Sequence, residues 1–489
     1  MLHEFAPLAF ATMSSVFGED SVHCACPPSS LHGLKTIPLS GMNQLFMPCD
    51  QVFILPGPID ISRLKKAISA WLTLVPHAAG RFSRGKDRSW AIKLSYPIPI
   101  TVSSYSGTYT DEEVYDAFPP FLDPLPWTYE PPQDPENHPL TRFKITNILR
   151  SGETAVAIHM CHAVVDGISL FRVLNLLNDL YCGASVSDLV PVNYENYFSC
   201  SPPYLEPEGE TYARVMAKMP ILEKGYDSQV LLNKWLNSME GTDRVDLFFT
   251  KEHMDLLLRR ANVNSPTKGK RLTTASVLPA YLFTVLNRVY GRPKFNRFLS
   301  VLGIRGQSAP LGTSYKSPST SSAGMAIVQT VSEPFNQEQL VNLSAMAKNL
   351  RDHTESCLEP KTLLDITSVY EQRQLELAKD GKFAYMLPED GDGSLGINLM
   401  HRTNTRIHFG YGARQCRFFT WPPLKHYLRA FMANPIRHGD GRWEDRKDVI
   451  HVMFLVDKGV GNKVCDLVRE ELDAWALEDA ENQYPHAKL

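Results

Sequence analysis

TAVAIHMCHAVVDGISLFRVLNLLNDLYCG, residues 154–183, joins two kinds of periodicity at one short junction. Its first part, 154–162, is apolar and of strand length, bounded by polar residues upstream and by His162 at its end. Its last part, 169–183, places apolar residues at helical spacing and stops at Gly183, a residue suited to ending a helix. The junction CHAVVDG (161–167) is therefore a strand-to-helix turn, and a histidine at the end of a strand can project into a cavity. A core histidine followed by a simple Asp-Gly turn fits the same seven residues, because Asp-Gly is a favoured turn pair.

Working outward, residues 37–56 read as a turn and a strand, and 61–76 as a helix behind an N-cap at Ser62. Segments 79–82, 90–96 and 141–149 read as further strands, so the first part of the chain is one α/β layer sandwich. From about 184 to 245 the pattern weakens and Pro191, Pro202, Pro203 and Pro207 break it, as expected of a long connection. The grammar then repeats: strands at 245–250 and 297–304, helices at 272–291 and 338–354, and strands at 406–412 and 449–456. The expected organisation is a first domain over 1–190, a crossover connection over 191–244 and a second domain over 245–489, with a cleft between two mixed α/β halves.

A chain of 489 residues is long enough for two such cores. With 43% apolar and 21% charged residues and a formal charge of −3, neither a nucleic-acid backbone nor an anionic membrane is an evident partner. The nine cysteines are scattered and show no CxxC spacing, so no metal site is expected and reduced thiols are the simplest account. The start, Met-Leu-His-Glu, lacks the positive charge of a secretory signal, and the apolar stretch behind it contains Pro7. A cytoplasmic monomer is the expectation.

Several landmarks in order give the chain a family likeness. LSGMNQ (39–44), LVPHAAGRF (74–82), HPLTRFKIT (138–146), HAVVDG (162–167), TTASVLPAYLF (273–283), GIRG (303–306) and HFGYG (408–412) resemble the successive motifs of the BAHD acyltransferases. These are two-domain relatives of chloramphenicol acetyltransferase that move an acyl group from coenzyme A to an alcohol or amine. The resemblance covers about 37–456 and implies a two-domain chloramphenicol-acetyltransferase-like α/β fold, each half a mixed sheet with flanking helices, with the active site in the channel between them. Two features depart from the family: HFGYG replaces DFGWG, so His408 and Tyr411 stand for the acidic residue and the tryptophan, and 311–326 lacks the usual YFGN. The drift in the second signature resembles fungal members.

The resemblance carries roles to particular positions. His162 is the expected general base, since imidazole has a pKa near neutrality. Asp166 is expected to be structural and to pair with Arg305, with Gly167, Gly410 and Gly412 also structural. Asn398 is a candidate donor to the oxyanion, at the place where plant-type members carry Ser or Thr; a polar residue entering a strand is the plainer reading. Lys268, Lys270 and Thr274 match the place where relatives meet the phosphate of coenzyme A, and a solvated turn fits them equally. Gln51, Phe53 and Tyr411 are candidates for the acceptor pocket, and His159 is expected to be packed. The implied activity is acyl transfer from acyl-CoA, a co-substrate rather than a bound cofactor, to a small acceptor of specialised metabolism. Two rivals are a condensation-domain branch, which usually has two adjacent histidines where this chain has Cys161-His162, and a degenerate member acting as a binding or scaffold protein.

Overall fold

The structure is a computed structural model and describes residues 20–28, 36–44, 47–85, 89–94, 96–108, 121, 138–194, 203–263, 271–308, 319–401, 407–412, 415–420 and 424–483. Five strands of the first half are β1 (Ser21–Ala25), β2 (Pro48–Leu55), β3 (Ile98–Tyr105), β4 (Thr141–Ile148) and β5 (Glu153–Cys161). Seven more follow: β6 (Thr242–Phe249), β7 (Arg297–Gly303), β8 (Ile327–Val331), β9 (Ser394–Leu399), β10 (Arg417–Thr420), β11 (Tyr427–Met432) and β12 (Ile450–Asp457). They form two six-stranded sheets, in the orders β1-β3-β4-β5-β2-β10 and β6-β12-β11-β9-β7-β8. Both are mixed: β3–β4, β7–β9 and β9–β11 run parallel, and the other neighbouring pairs antiparallel.

One strand crosses over. β10 lies late in the chain yet pairs with β2 at the edge of the first sheet, Thr420 opposite Gln51 and Phe418 opposite Phe53. The second part of the chain thereby completes the first sheet, tying the two halves by backbone hydrogen bonds.

Helices α1 (Ile61–Leu74) and α2 (Gly167–Tyr181) bury Leu64, Ile68, Trp71, Leu170, Leu174 and Leu177 against the first sheet in one large apolar cluster. At roughly 25 cal/mol per Å² of apolar surface removed from water, such side chains supply much of the drive to fold. Asp60, not Ser62, caps α1, its carboxylate accepting from Arg63 N at 3.0 Å. Where the sequence pattern weakens, two helices stand, α3 (Glu210–Met216) and α4 (Ser228–Met239). α5 (Thr274–Val289), α6 (Leu343–Leu358) and α7 (Pro360–Lys379) follow; the segment 338–354 is not one helix, because Asn342 caps a new start at Leu343. Residues 407–412 form a turn rather than the expected strand. No helix among the described residues is long and apolar enough to cross a membrane, and none of the described cysteines is in a disulfide.

The LSGMNQ stretch explains itself in this frame. Gly41 N and Met42 N each donate at 2.7 Å to the buried carboxylate of Glu371 on α7, and Asn43 Oδ1 accepts from Met325 N at 2.7 Å. A Cβ at Gly41 would sit 2.3 Å from the Glu371 carbonyl oxygen, so no larger residue fits. Burial pushes the Glu371 carboxyl above its ordinary pKa, and the two amide donors work in the opposite direction. Glu371→Ala would strand both amides in a buried site. It is expected to cost about 2–5 kcal/mol, read as a lower urea midpoint with little change in m-value.

Candidate active site

β5 ends at Cys161, and the next five residues are held by several backbone hydrogen bonds. His162 N donates to Met47 O at 2.7 Å, Val164 O accepts from Gly324 N at 3.0 Å, and Ala163 O accepts from the Tyr194 hydroxyl at 3.1 Å. Asp166 then caps α2: its Oδ1 accepts from Ser169 N at 3.0 Å, and Ser169 Oγ accepts from Asp166 N at 2.9 Å, a reciprocal capping box. Gly167 opens the helix, where a Cβ would lie 2.8 Å from Met400 Cε.

The other oxygen of Asp166 faces the second half. Oδ2 accepts from Arg305 Nη1 and, at 3.0 Å, from Ala326 N. All three nitrogens of Arg305 are engaged, with Nε on Ser322 O at 3.1 Å and Nη2 on Gly324 O at 2.6 Å. The two side chains are 0% and 5% exposed, so this is a buried, hydrogen-bonded ion pair and not a surface contact. With both oxygens engaged, Asp166 is a structural node of the turn and does not bond the His162 ring.

His162 is half-buried, its ring edge turned toward the cavity described below. Burial lowers its pKa below the ordinary 6.5, while the Asp166 charge and the backbone carbonyls of His162 and Val165 oppose the shift in part. Nδ1 is buried and has no hydrogen-bond partner among the described residues, which leaves Nε2 as the nitrogen able to meet a ligand. The thiols nearby are poor nucleophiles: burial pushes Cys161 up to about 12 and Cys49 well above its usual value.

His162 lines a cavity of about 440 Å³ with walls from both halves. Gln51, Gly167 and Phe171 come from the first half; Ser300, Gln329, Asn398, Tyr427 and Arg429 come from the second, and Thr420 from the crossing strand. Trp235 on α4, Met386 and Leu424 make its apolar side. Arg429 Nη2 donates to Thr420 Oγ1 at 2.9 Å, and Gln51 Nε2 to the same oxygen at 3.3 Å. Asp50 also lines the cavity and is hydrogen-bonded to His159 Nδ1 at 2.7 Å, so His159 is a partner of a cavity residue and not merely packed. Burial pushes the Tyr427 hydroxyl up to about 12, partly offset by Arg429 and by a hydrogen bond from Asn398, so it stays a donor.

The structure thus gathers His162, Gln51 and Asn398 on one cavity. It turns others away from it. Phe53 is buried two residues further along β2, packed at 5.3 Å on Phe418, which packs at 5.3 Å on the lining residue Phe171. The Tyr411 hydroxyl donates to Pro58 O at 2.6 Å and does not line the cavity. The rest of HFGYG is bound to α2: Asn178 Oδ1 accepts from His408 N and Phe409 N, both at 2.8 Å, while Gly410 has φ +90 and Gly412 O accepts from Gln415 N at 2.9 Å. Thr274 is the first residue of α5, next to Ala275 at the cavity wall; Lys268 and Lys270 lie outside the described residues. Arg429, Thr420, Gln329, Ser300 and Asp50 have no motif to mark them, being single polar residues on separate strands.

No protein-family model and no curated protein sequence matches the chain. Solved structures do match over most of both chains. Vinorine synthase is similar with a TM-score of 0.55 and 14% identity, over 90% of this chain and 95% of that one. TRI101 of F. graminearum, complexed with ethyl coenzyme A, is similar at 0.61 and 14%, over 88% and 96%. The starter condensation domain of rhizomide synthetase RzmA, in complex with C8-CoA, is similar at 0.51 and 11%, over 90% and 95%. The chain has the two-domain chloramphenicol-acetyltransferase-like fold.

The buried pair gives a test of which residues hold the fold. Asp166→Ala or Arg305→Ala is expected to cost about 3–5 kcal/mol, because each strands the other charge. A double-mutant cycle followed by urea unfolding should show strong non-additivity, the second substitution removing a partner already orphaned. His162→Ala should leave the melting temperature nearly unchanged.

Proposed function

We propose that this chain is an acyl-CoA-dependent acyltransferase that moves an acyl group to a hydroxyl of a small acceptor, with His162 as general base. The observation carrying this reading is an imidazole at the wall of a cavity shared by the two halves, with one nitrogen buried and its pKa lowered by burial. The resemblance of the ordered motifs to BAHD acyltransferases supports it, as do structural neighbours bound to coenzyme A or a derivative. The same resemblance supports a first domain over 1–190, a connection over 191–244, a second domain over 245–489, and entry of acyl-CoA past Lys268, Lys270 and Thr274.

The chemistry follows from the ring. The acceptor O–H gives its proton to Nε2 as the oxygen attacks the thioester carbonyl, forming a tetrahedral oxyanion. When the C–S bond breaks, the sulfur leaves with the proton from Nε2, giving the ester and free coenzyme A thiol. Two raised thiol pKa values beside His162 agree with direct transfer, without an acyl-enzyme on cysteine. Asn398 and the neutral Tyr427 hydroxyl are the donors on the cavity wall suited to the oxyanion, and fixed donors of this kind are often the largest catalytic term. Holding both reactants in one enclosed channel removes much of the entropic cost of their meeting.

The test is release of coenzyme A thiol from acetyl-CoA or longer acyl-CoA, dependent on an added alcohol. His162→Ala should lower turnover by about 10²–10⁴-fold with the fold intact. Because the base must be neutral and burial lowers its pKa, kcat/KM of the wild type should rise with pH through an ionisation below 6.5 and level off above it. A variant that keeps most of the activity would remove His162 from this role.

A further inference from the structure

A row of side chains crosses the second sheet at the cavity. Gln329 on β8 pairs with Val301 on β7; Ser300 pairs with Ile397, which sets Val301 beside Asn398 on β9; and Asn398 pairs with Arg429 on β11. Paired residues share a face of a sheet, so Gln329, Val301, Asn398 and Arg429 stand side by side, spanning roughly 14 Å at the usual strand spacing. Arg429 hands the row across the gap to Thr420, and Thr420 to Gln51 on the first sheet. Every one of these residues lines the cavity.

The two ends of this belt are unsatisfied. Gln329 Oε1 and Gln51 Oε1 are buried and have no hydrogen-bond partner among the described residues. Both residues are more than nine-tenths buried, at 6% exposure each. A buried amide left in this state costs stability, and it is tolerated where a ligand supplies the missing bond. Around the belt the wall is apolar, with Trp235, Met386, Leu387 and Leu424.

We infer that the acceptor is an elongated apolar molecule carrying hydroxyls besides the one that reacts, and that Gln51 and Gln329 read these at its two ends. A hydroxyl suits either orientation of an amide, since it both donates and accepts. A site built to bond a hydroxyl discriminates against an analogue lacking it, because its polar group is then left buried and unpaired. The inference rests on the acyl-transfer reading for the place of the reacting hydroxyl; the belt itself is independent of that chemistry.

Matched steroid alcohols probe it: androstane-3,11,17-triol and the three diols that each lack one of its hydroxyls share one skeleton. Acetyl transfer and ligand-induced change in melting temperature are both measured, on the wild type, Gln51→Leu and Gln329→Leu. The wild type should favour the triol over every diol by at least about tenfold in kcat/KM, and in each variant the preference over one of the diols should fall to about twofold or less. The triol should raise the melting temperature of the wild type more than the diols do, and in each variant the difference from that diol should vanish. Ligand-free Gln329→Leu should melt higher than the wild type, since it removes a buried carbonyl oxygen that has no partner. Equal stabilisation by triol and diols, or a lower melting temperature for ligand-free Gln329→Leu, overturns the inference. Absence of acetyl transfer to every alcohol, with the triol-selective stabilisation intact, would overturn the acyl-transfer reading and leave the belt standing.

Discussion

The carboxylate of Asp166 is the point on which the two halves of this molecule depend. One of its oxygens caps the helix that follows, and the other holds Arg305 and Ala326 N from the second half. A buried ion pair is a weak source of net stability, because desolvating two charges offsets most of their attraction. What it does supply is position. With Arg305 also bonded to Ser322 O and Gly324 O, and Gly324 N bonded to Val164 O, the turn behind His162 is fixed to the opposite half by short polar contacts.

Position decides the electrostatics of the histidine. The ring sits between a structural carboxylate that would favour its cation and surroundings that exclude water, and exclusion of water is the larger effect. Had Asp166 turned its free oxygen toward the ring instead of toward Arg305, the balance would have moved toward imidazolium. The helix cap and the domain-crossing pair thus do more than hold the backbone. They keep the charge occupied, so burial remains the larger influence on the imidazole beside it and lowers its pKa.

The two residues of HFGYG that depart from the pattern it resembles sit where departure is cheap. His408 and Tyr411 belong to a turn fastened to α2 through Asn178 and to Pro58 O, away from the cavity. What the turn needs there is backbone amides for Asn178 and a glycine at φ +90, and Gly410 provides the latter. LSGMNQ shows the opposite case: Gly41 is dictated by a carbonyl oxygen 2.3 Å from where its Cβ would be.

Local chemistry was legible in the sequence. The apolar run to Cys161, the Asp-Gly junction and the helical spacing after it placed His162 at the end of a strand and Asp166 in the turn that follows, because alternation and turn formation are decided by near neighbours; that Asp166 caps the helix came from the structure. The ordered motifs likewise pointed to the two-sheet fold and to Arg305 as the partner of Asp166. Periodicity could not show that residues 417–420 leave their own half to pair with β2, since an edge strand has no signature of where its partner lies. It could not separate Gln51, which faces the cavity, from Phe53, which lies on the same side of the strand but under Phe418. The wall made by Gln329, Asn398, Arg429, Thr420 and Gln51 is a product of strand register between segments hundreds of residues apart, and only the tertiary structure brings it together.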